Sequence, residues 1–331
     1  MRPPGTLLIK RGEVAELLDI GECIAAVERA FGLLAEGRVQ RPGVLGVPAR
    51  GGGFHIKAGL MGLGRSYFAA KVNANFPQNA ARFGLPLVQG VIVLCDGENG
   101  YPLALLDSME ITVIRTGAAT AVAAKHLARP GARVVTVCGC GNQGRVSLRA
   151  VSRVRGVEHA YAYDVDGDAA RRFAGDLSAE LGFEVEAAGD LAGAVGRSDI
   201  CVTCTPSRRH FLKREHVPAG AFVAAVGADS EEKQEIDPEL LAASKVVVDL
   251  LDQCASFGDL RHAIDEGVMT AADVHAELGE VVAGRKPGRA SDEEVIVFDS
   301  TGTALQDVVA AATVYERALA AGRGVALDFA E

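Results

Sequence analysis

Long apolar runs are missing from this 331-residue chain, although 49% of its residues are hydrophobic. No stretch approaches the roughly 20 consecutive apolar residues of a membrane-spanning helix. Near the start the only apolar run is Thr6 to Ile9, between charged neighbours, too short for the apolar region of a secretory signal; the cytoplasm is the expected location. Basic clusters are missing too. Acidic side chains outnumber basic ones by 43 to 34, giving a formal charge of -9, and no run of Lys and Arg is interleaved with aromatics. Nucleic acid is therefore a poor partner. The seven cysteines are odd in number and mostly sit in apolar segments, as in Asp199-Ile-Cys-Val-Thr-Cys204, which suits a reducing compartment rather than a disulfide framework. Two pairs, Cys138 with Cys140 and Cys201 with Cys204, have spacings that metal or redox sites also use, against the plainer role of buried cysteine as a small hydrophobe. There is no internal repeat and no low-complexity segment.

What is present is enough apolar residue for a large core and more than one domain. Helical periodicity covers Glu13 to Leu18 and Cys23 to Ala35. Short β-like runs follow at 54–58, 67–73, 88–94 and 101–106, with Asp96-Gly-Glu-Asn-Gly100 as a hairpin turn, so the first part is expected to hold a mostly antiparallel sheet. An Ala-rich helix is expected from Met109 to Ala128, ending at Arg129-Pro130-Gly131. Beyond it, strand-like runs at 134–138, 159–163, 183–187, 200–205, 222–226 and 246–250 alternate with helical stretches, the pattern of a parallel sheet covered on both faces. The tail from Thr303 to Ala321 is helical. The expected class is α/β: a Rossmann-type domain at 119–302, and a second, α+β domain at 1–118 on which the segment 303–331 packs back.

Val134-Val-Thr-Val-Cys-Gly-Cys-Gly-Asn-Gln-Gly-Arg145 runs from a strand through three glycines into a helix, the context that gives a GxGxxG pattern meaning. Gly139 permits the tight turn, Gly141 removes a side chain where a pyrophosphate approaches, and Gly144 lets the helix lie close to the sheet. Helix-start N–H groups then face the phosphate. Twenty residues after Gly144, Asp164 closes the strand-like 159–163, where a carboxylate accepts from ribose hydroxyls and repels a 2′-phosphate. NAD rather than NADP is expected, set against a purely structural glycine turn beside an unrelated aspartate.

Lys57 and Lys71 stand inside apolar β runs, where an unpaired ammonium is costly; either they line a cationic pocket or their heads snorkel to solvent. Arg115, alone among small and apolar residues, calls for a carboxylate or pyrophosphate partner. Asp229 follows a strand at its carboxyl end, where ligands bind in open α/β sheets, although an Asp there also serves as a turn or cap residue.

Together Lys71-Val-Asn-Ala-Asn-Phe-Pro-Gln-Asn79, Gly84-Leu-Pro86, Leu105-Leu-Asp107, Ile114-Arg-Thr116, Gly139 to Gly144, Thr203-Cys-Thr-Pro206, Val226-Gly-Ala-Asp229 with Lys233 and Asp237-Pro238, His275-Ala-Glu-Leu-Gly-Glu280 and Phe298-Asp-Ser300 resemble the ornithine cyclodeaminase/mu-crystallin family over essentially the whole chain. The resemblance implies a homodimer whose subunits pair a Rossmann domain with a substrate domain. It implies Lys71 on the substrate and Asp229 as acid/base, with Arg115 at substrate carboxylate or cofactor phosphate and Thr116 at the cofactor. Asn142, Gln143, Asp164, Thr205, Val226, Gly227, Lys233 and Ser300 would line the cofactor site, Thr301 the substrate, and Arg41, in Gln40-Arg41-Pro42, a substrate carboxylate.

The implied chemistry is hydride transfer between nicotinamide and the α-carbon of an amino acid or imine. Ornithine-processing members carry a glutamate in the strand before a Met-Pro, placed for the distal amine; here the run is His55-Ile-Lys-Ala-Gly59, and Lys57 would repel that amine. The expectation is therefore an imine reductase or amino-acid dehydrogenase, with iminosuccinate as one dicarboxylic possibility. The alternatives are a lyase converting ornithine to proline and ammonia, and a non-catalytic ligand-binding protein such as mu-crystallin.

Overall fold

The computed structural model describes residues 5–328. Residues 1–4 and 329–331, which the expected domain limits include, lie outside the described residues. Two compact units emerge: one built from the chain up to Arg115 together with the chain from Thr303 onward, the other from Thr116–Gly302. The division falls inside the helix Ser108–Leu127.

The first unit carries a seven-stranded sheet in the order Val325–Leu327, Thr6–Ile9, Pro102–Asp107, Val88–Asp96, Ser66–Asn75, Gly52–Gly62, Gly43–Ala49. It is mixed: Thr6–Ile9 runs parallel to Pro102–Asp107, and every other pair is antiparallel. The four central runs expected from sequence are present, each longer at one or both ends. Three strands escaped the reading. Thr6–Ile9 is a brief buried strand; Gly43–Ala49 is an exposed edge containing Gly, Pro and Ala; Val325–Leu327 has only three residues. The hairpin at Asp96 to Gly100 closes with Gly100 at φ +78 and its N–H on the Asp96 carbonyl at 2.9 Å.

Helices Ile20–Ala35 and Ala304–Ala321 pack on one another, and Ala304–Ala321 lies on Gly52–Gly62 and Ser66–Asn75. The helix lies close over Gly59, where a Cβ would stand 3.4 Å from both Ala304 Cβ and Leu305 Cδ2.

The second unit is a Rossmann-type domain. Eight parallel strands lie in the order Ala276–Glu277, Lys245–Val248, Ile296–Asp299, Phe222–Ala225, Ile200–Thr203, Val134–Cys138, His159–Tyr163, Glu184–Ala187. The chain runs outward from Val134–Cys138 through His159–Tyr163 to Glu184–Ala187, then returns to the other side at Ile200–Thr203. That reversal marks the switch point where open α/β sheets bind ligands. Ile296–Asp299 and Ala276–Glu277 were not recognised as strands, nor was the small parallel pair Arg208–Leu212 with Gln234–Ile236; all are shorter than six residues and lack an alternating pattern.

Candidate functional site

In the first unit the strands Gly52–Gly62 and Ser66–Asn75 pair with Lys57 directly opposite Lys71. Both lysines are buried, at 8% and 3% exposure. Like charges facing each other across a ladder are destabilising, and burial multiplies the cost, so snorkelling does not describe either residue. On the same face Arg115 is 5% exposed. A carboxylate joins them that sequence reading missed. Asp307, in the first turn of Ala304–Ala321, places its two oxygens 2.9 and 2.8 Å from Lys71 Nζ and accepts from Arg115 Nε at 3.0 Å. Thr112, one helical turn before Arg115, lies 3.4 Å from Lys71 Nζ. Gln306 Oε1 accepts from Arg115 Nη1 at 2.8 Å, while its buried Nε2 has no hydrogen-bond partner among the described residues.

Burial pushes the Lys71 ammonium down to about 7, helped by the charges of Arg115 and Lys57 and opposed by Asp307. Burial works to raise Asp307, but Lys71, Arg115 and Lys57 together outweigh it and hold the carboxylate below its ordinary range. A buried set of cations is thus organised around one internal anion, an arrangement suited to a second, external carboxylate. Asp307 shares its Ala-rich helix with Glu316 and Arg317, and nothing in its spacing from Lys71 revealed the contact. Arg41 is exposed on the segment leading into Gly43–Ala49.

In the second unit the glycine loop has the geometry its sequence implied. Gly139 takes φ +102, and a Cβ there would stand 2.9 Å from the Cys204 carbonyl. A Cβ on Gly144 would fall 2.1 Å from Gly139 O, so the helix Asn142–Val154 lies against the turn. Around Gly141, the N-cap of that helix, a Cβ would meet nothing within 4 Å. The space beside the helix start is thus open, as a phosphate held by helix-start N–H groups requires; Asn142 and Gln143 form the first turn. Asp164 anchors the loop, its oxygens accepting from Cys140 N at 2.8 Å and Asp166 N at 3.0 Å. The sulfurs of Cys138 and Cys201 approach to 4.0 Å on adjacent strands, and all seven cysteines are free. Among the described residues no group of three His, Cys, Asp or Glu side chains is placed to hold a metal ion.

At the carboxyl edge of the same sheet, Thr205 and Gly227 are brought together by Glu235, another residue missed in the sequence. Val226 precedes Gly227 and is 9% exposed. Ser300 Oγ and Thr301 Oγ1 both turn to the buried carboxylate of Asp249, at 2.9 and 3.3 Å. Asp229, with a side chain 55% exposed, pairs with Lys233 at 2.6 Å. Thr116 is half-buried at the start of this unit.

Residues 5–322 match the model of the ornithine cyclodeaminase/mu-crystallin family. Three solved structures are similar over nearly the whole chain. An archaeal alanine dehydrogenase dimer with bound NAD is 40% identical, with a TM-score of 0.94 over 98% of this chain and 99% of that one. The iminosuccinate reductase of Paracoccus denitrificans in complex with NAD+ is 30% identical, with a TM-score of 0.90 over 98% of this chain and all of that one. The Δ1-pyrroline-2-carboxylate reductase of Thermococcus litoralis, in complex with NADH and L-proline, is 35% identical, with a TM-score of 0.89 over 97% and all of the two chains.

Proposed function

The chain belongs to the ornithine cyclodeaminase/mu-crystallin family, and from that premise we propose that it is an NAD-dependent enzyme that reduces an imine, or oxidises the corresponding amino acid, at the α-carbon. The observation that carries this reading is the buried cluster of Lys57, Lys71 and Arg115 about Asp307. A fold tolerates paired buried lysines at a cost to stability, which a carboxylate ligand offsets.

Lys71 has three N–H groups, of which Asp307 and Thr112 take two; the third serves the substrate carboxylate or imine. Arg115 and Gln306 Nε2 extend the same anion-binding subsite. Asp229 is the acid/base, its carboxylate oriented by Lys233. The open space at Gly141 and the carboxylate of Asp164 suit a dinucleotide without a 2′-phosphate, so NAD is preferred to NADP; when bound it supplies or accepts the hydride. Val226, Gly227, Lys233 and Ser300 line its site, Thr301 stands beside the substrate, and Arg41 is assigned to a substrate carboxylate. In this reading the first unit is the substrate-binding domain and the second the cofactor domain.

Lys57 turns the choice of substrate. A third cation in the cluster disfavours the distal amine of ornithine and favours a second carboxylate, as in iminosuccinate. In this reading the enzyme is cytoplasmic, in keeping with seven free cysteines, and works as a homodimer.

The test is NADH consumption with oxo acids plus ammonia, oxaloacetate plus ammonia, and cyclic imines, compared with proline formation from ornithine and catalytic NAD. Turnover in the first set with inert ornithine is expected. Proline formation would replace the reading by cyclodeamination, and nucleotide binding without either reaction would replace it by a binding protein.

A further inference from the structure

Glu235 is fully buried and accepts four hydrogen bonds: from Thr205 N at 2.6 Å and Thr205 Oγ1 at 2.7 Å on one oxygen, and from Thr203 Oγ1 at 2.7 Å and Gly227 N at 2.9 Å on the other. All four donors are neutral. They belong to the end of the strand Ile200–Thr203 and the loop leaving it, and to the loop leaving Phe222–Ala225. The backbone joins the two segments as far as the bond from Val226 N to Thr203 O at 2.9 Å; beyond it the Glu235 carboxylate bridges them through Thr205 and Gly227. Gly227 lets it approach, since a Cβ there would stand 2.5 Å from Glu235 Cδ. Glu235 is itself held in place: its N–H and that of Ile236 donate to Asp259 Oδ1 at 2.7 and 2.9 Å, and Leu260 N, beside Asp259, donates to Asp299 Oδ2 at 2.9 Å.

Topology says which end of a dinucleotide these loops serve. Asp164 ends the strand on one side of Val134–Cys138, and Ile200–Thr203 and Phe222–Ala225 follow on the other. A dinucleotide lying across the switch point with its adenosine ribose at Asp164 has its nicotinamide half on the side of Thr205 and Gly227. We propose that Glu235 is a positioning residue for the nicotinamide half of the cofactor, acting through Thr205 and Gly227 and touching no ligand itself. This rests on the dinucleotide reading of the second unit.

Burial, with the charge of Asp259 adding to it, raises the Glu235 carboxyl to about 7 against the hydrogen bonds that lower it. An amide cannot replace it. Glutamine at this position turns an NH2 toward either Thr205 N–H or Gly227 N–H, so that donor faces donor and one loop is pushed away.

Two ligands separate the halves of the site: NADH, and ADP-ribose, which lacks nicotinamide. Affinities are measured by fluorescence titration for NADH and by calorimetry for ADP-ribose, on full-length wild type, Glu235→Gln and Thr203→Val, with thermal melts to show folding. Expected is at least a tenfold loss of NADH affinity in Glu235→Gln with ADP-ribose affinity within twofold of wild type. Thr203→Val, which strips one donor and keeps the shape, should show a smaller loss in the same direction, and it carries the test should Glu235→Gln fail to fold. Equal weakening of both ligands would make Glu235 a general structural residue and overturn the proposal, as would unchanged NADH affinity. Wild-type protein that binds neither ligand would instead remove the dinucleotide reading itself.

Discussion

Lys71 is the residue whose behaviour the structure constrains most tightly. Its ammonium is lowered from the usual lysine value to about 7, so between that value and 10.5 the folded chain binds fewer protons than the unfolded one. By linkage this group's contribution to stability rises with pH across that window, and its full cost is present below about pH 7. Function runs the other way. The free enzyme carries a charged Lys71 only below about pH 7, so kcat/KM for a carboxylate substrate should fall as pH climbs above it, a profile measured with NADH oxidation at limiting substrate. Asp307→Asn should move that fall to lower pH, because the negative charge that raises Lys71 is removed while Arg115 and Lys57 remain. The same change strands two buried cations and should cost about 3–5 kcal/mol in denaturant unfolding. Lys71→Ala and Asp229→Asn should each lose turnover while keeping NADH affinity; full activity in both would refute their roles.

Among the elements, the glycine loop and the helix behind it allow two demands on glycine to be told apart. Gly141→Ala meets open space at an ordinary φ of -81, so its melting temperature should match wild type while NADH affinity falls, because the methyl group stands where phosphate would lie. Gly144→Ala collides with the Gly139 carbonyl and should lose about 1–3 kcal/mol of stability along with affinity. Calorimetric melts and NADH titrations on the pair distinguish the cases. This loop was legible in sequence because strand, turn and helix start are contiguous, and so all their requirements fall within a dozen residues. Lys57 and Lys71 were legible as oddities, charges inside β runs, but their pairing depends on register. Asp307 and Glu235 were not legible as site residues. Each is one acid among 43 acidic residues, and only the tertiary fold buries them and supplies their partners, 236 residues away for Lys71 and Asp307 and 30 away for Thr205 and Glu235. The missed strands Thr6–Ile9 and Ile296–Asp299 are four-residue runs with too little periodicity to be separated from loop or helix, and Gly43–Ala49 is an exposed edge whose Gly and Pro read as loop.

On the scale of the whole molecule, the first unit's sheet has two unlike faces. One row across it reads Val44, Lys57, Lys71, Ile92; the neighbouring row, pointing the opposite way, reads Leu45, Ile56, Val72, Val91. Leu45 is 56% exposed and Val91 48%, an apolar surface suited to a second copy of the chain. For the proposed homodimer, Leu45→Asp with Val91→Asp should therefore give a monomer in sedimentation velocity, with the second unit's NADH affinity retained.

The first unit is also discontinuous in sequence, and its counter-ion for Lys71 and Arg115 arrives on the helix Ala304–Ala321. During synthesis the intervening Thr116–Gly302 unit emerges whole and can close as soon as it clears the ribosome. The earlier segment must wait, carrying two cations that have no internal anion until the last helix is translated.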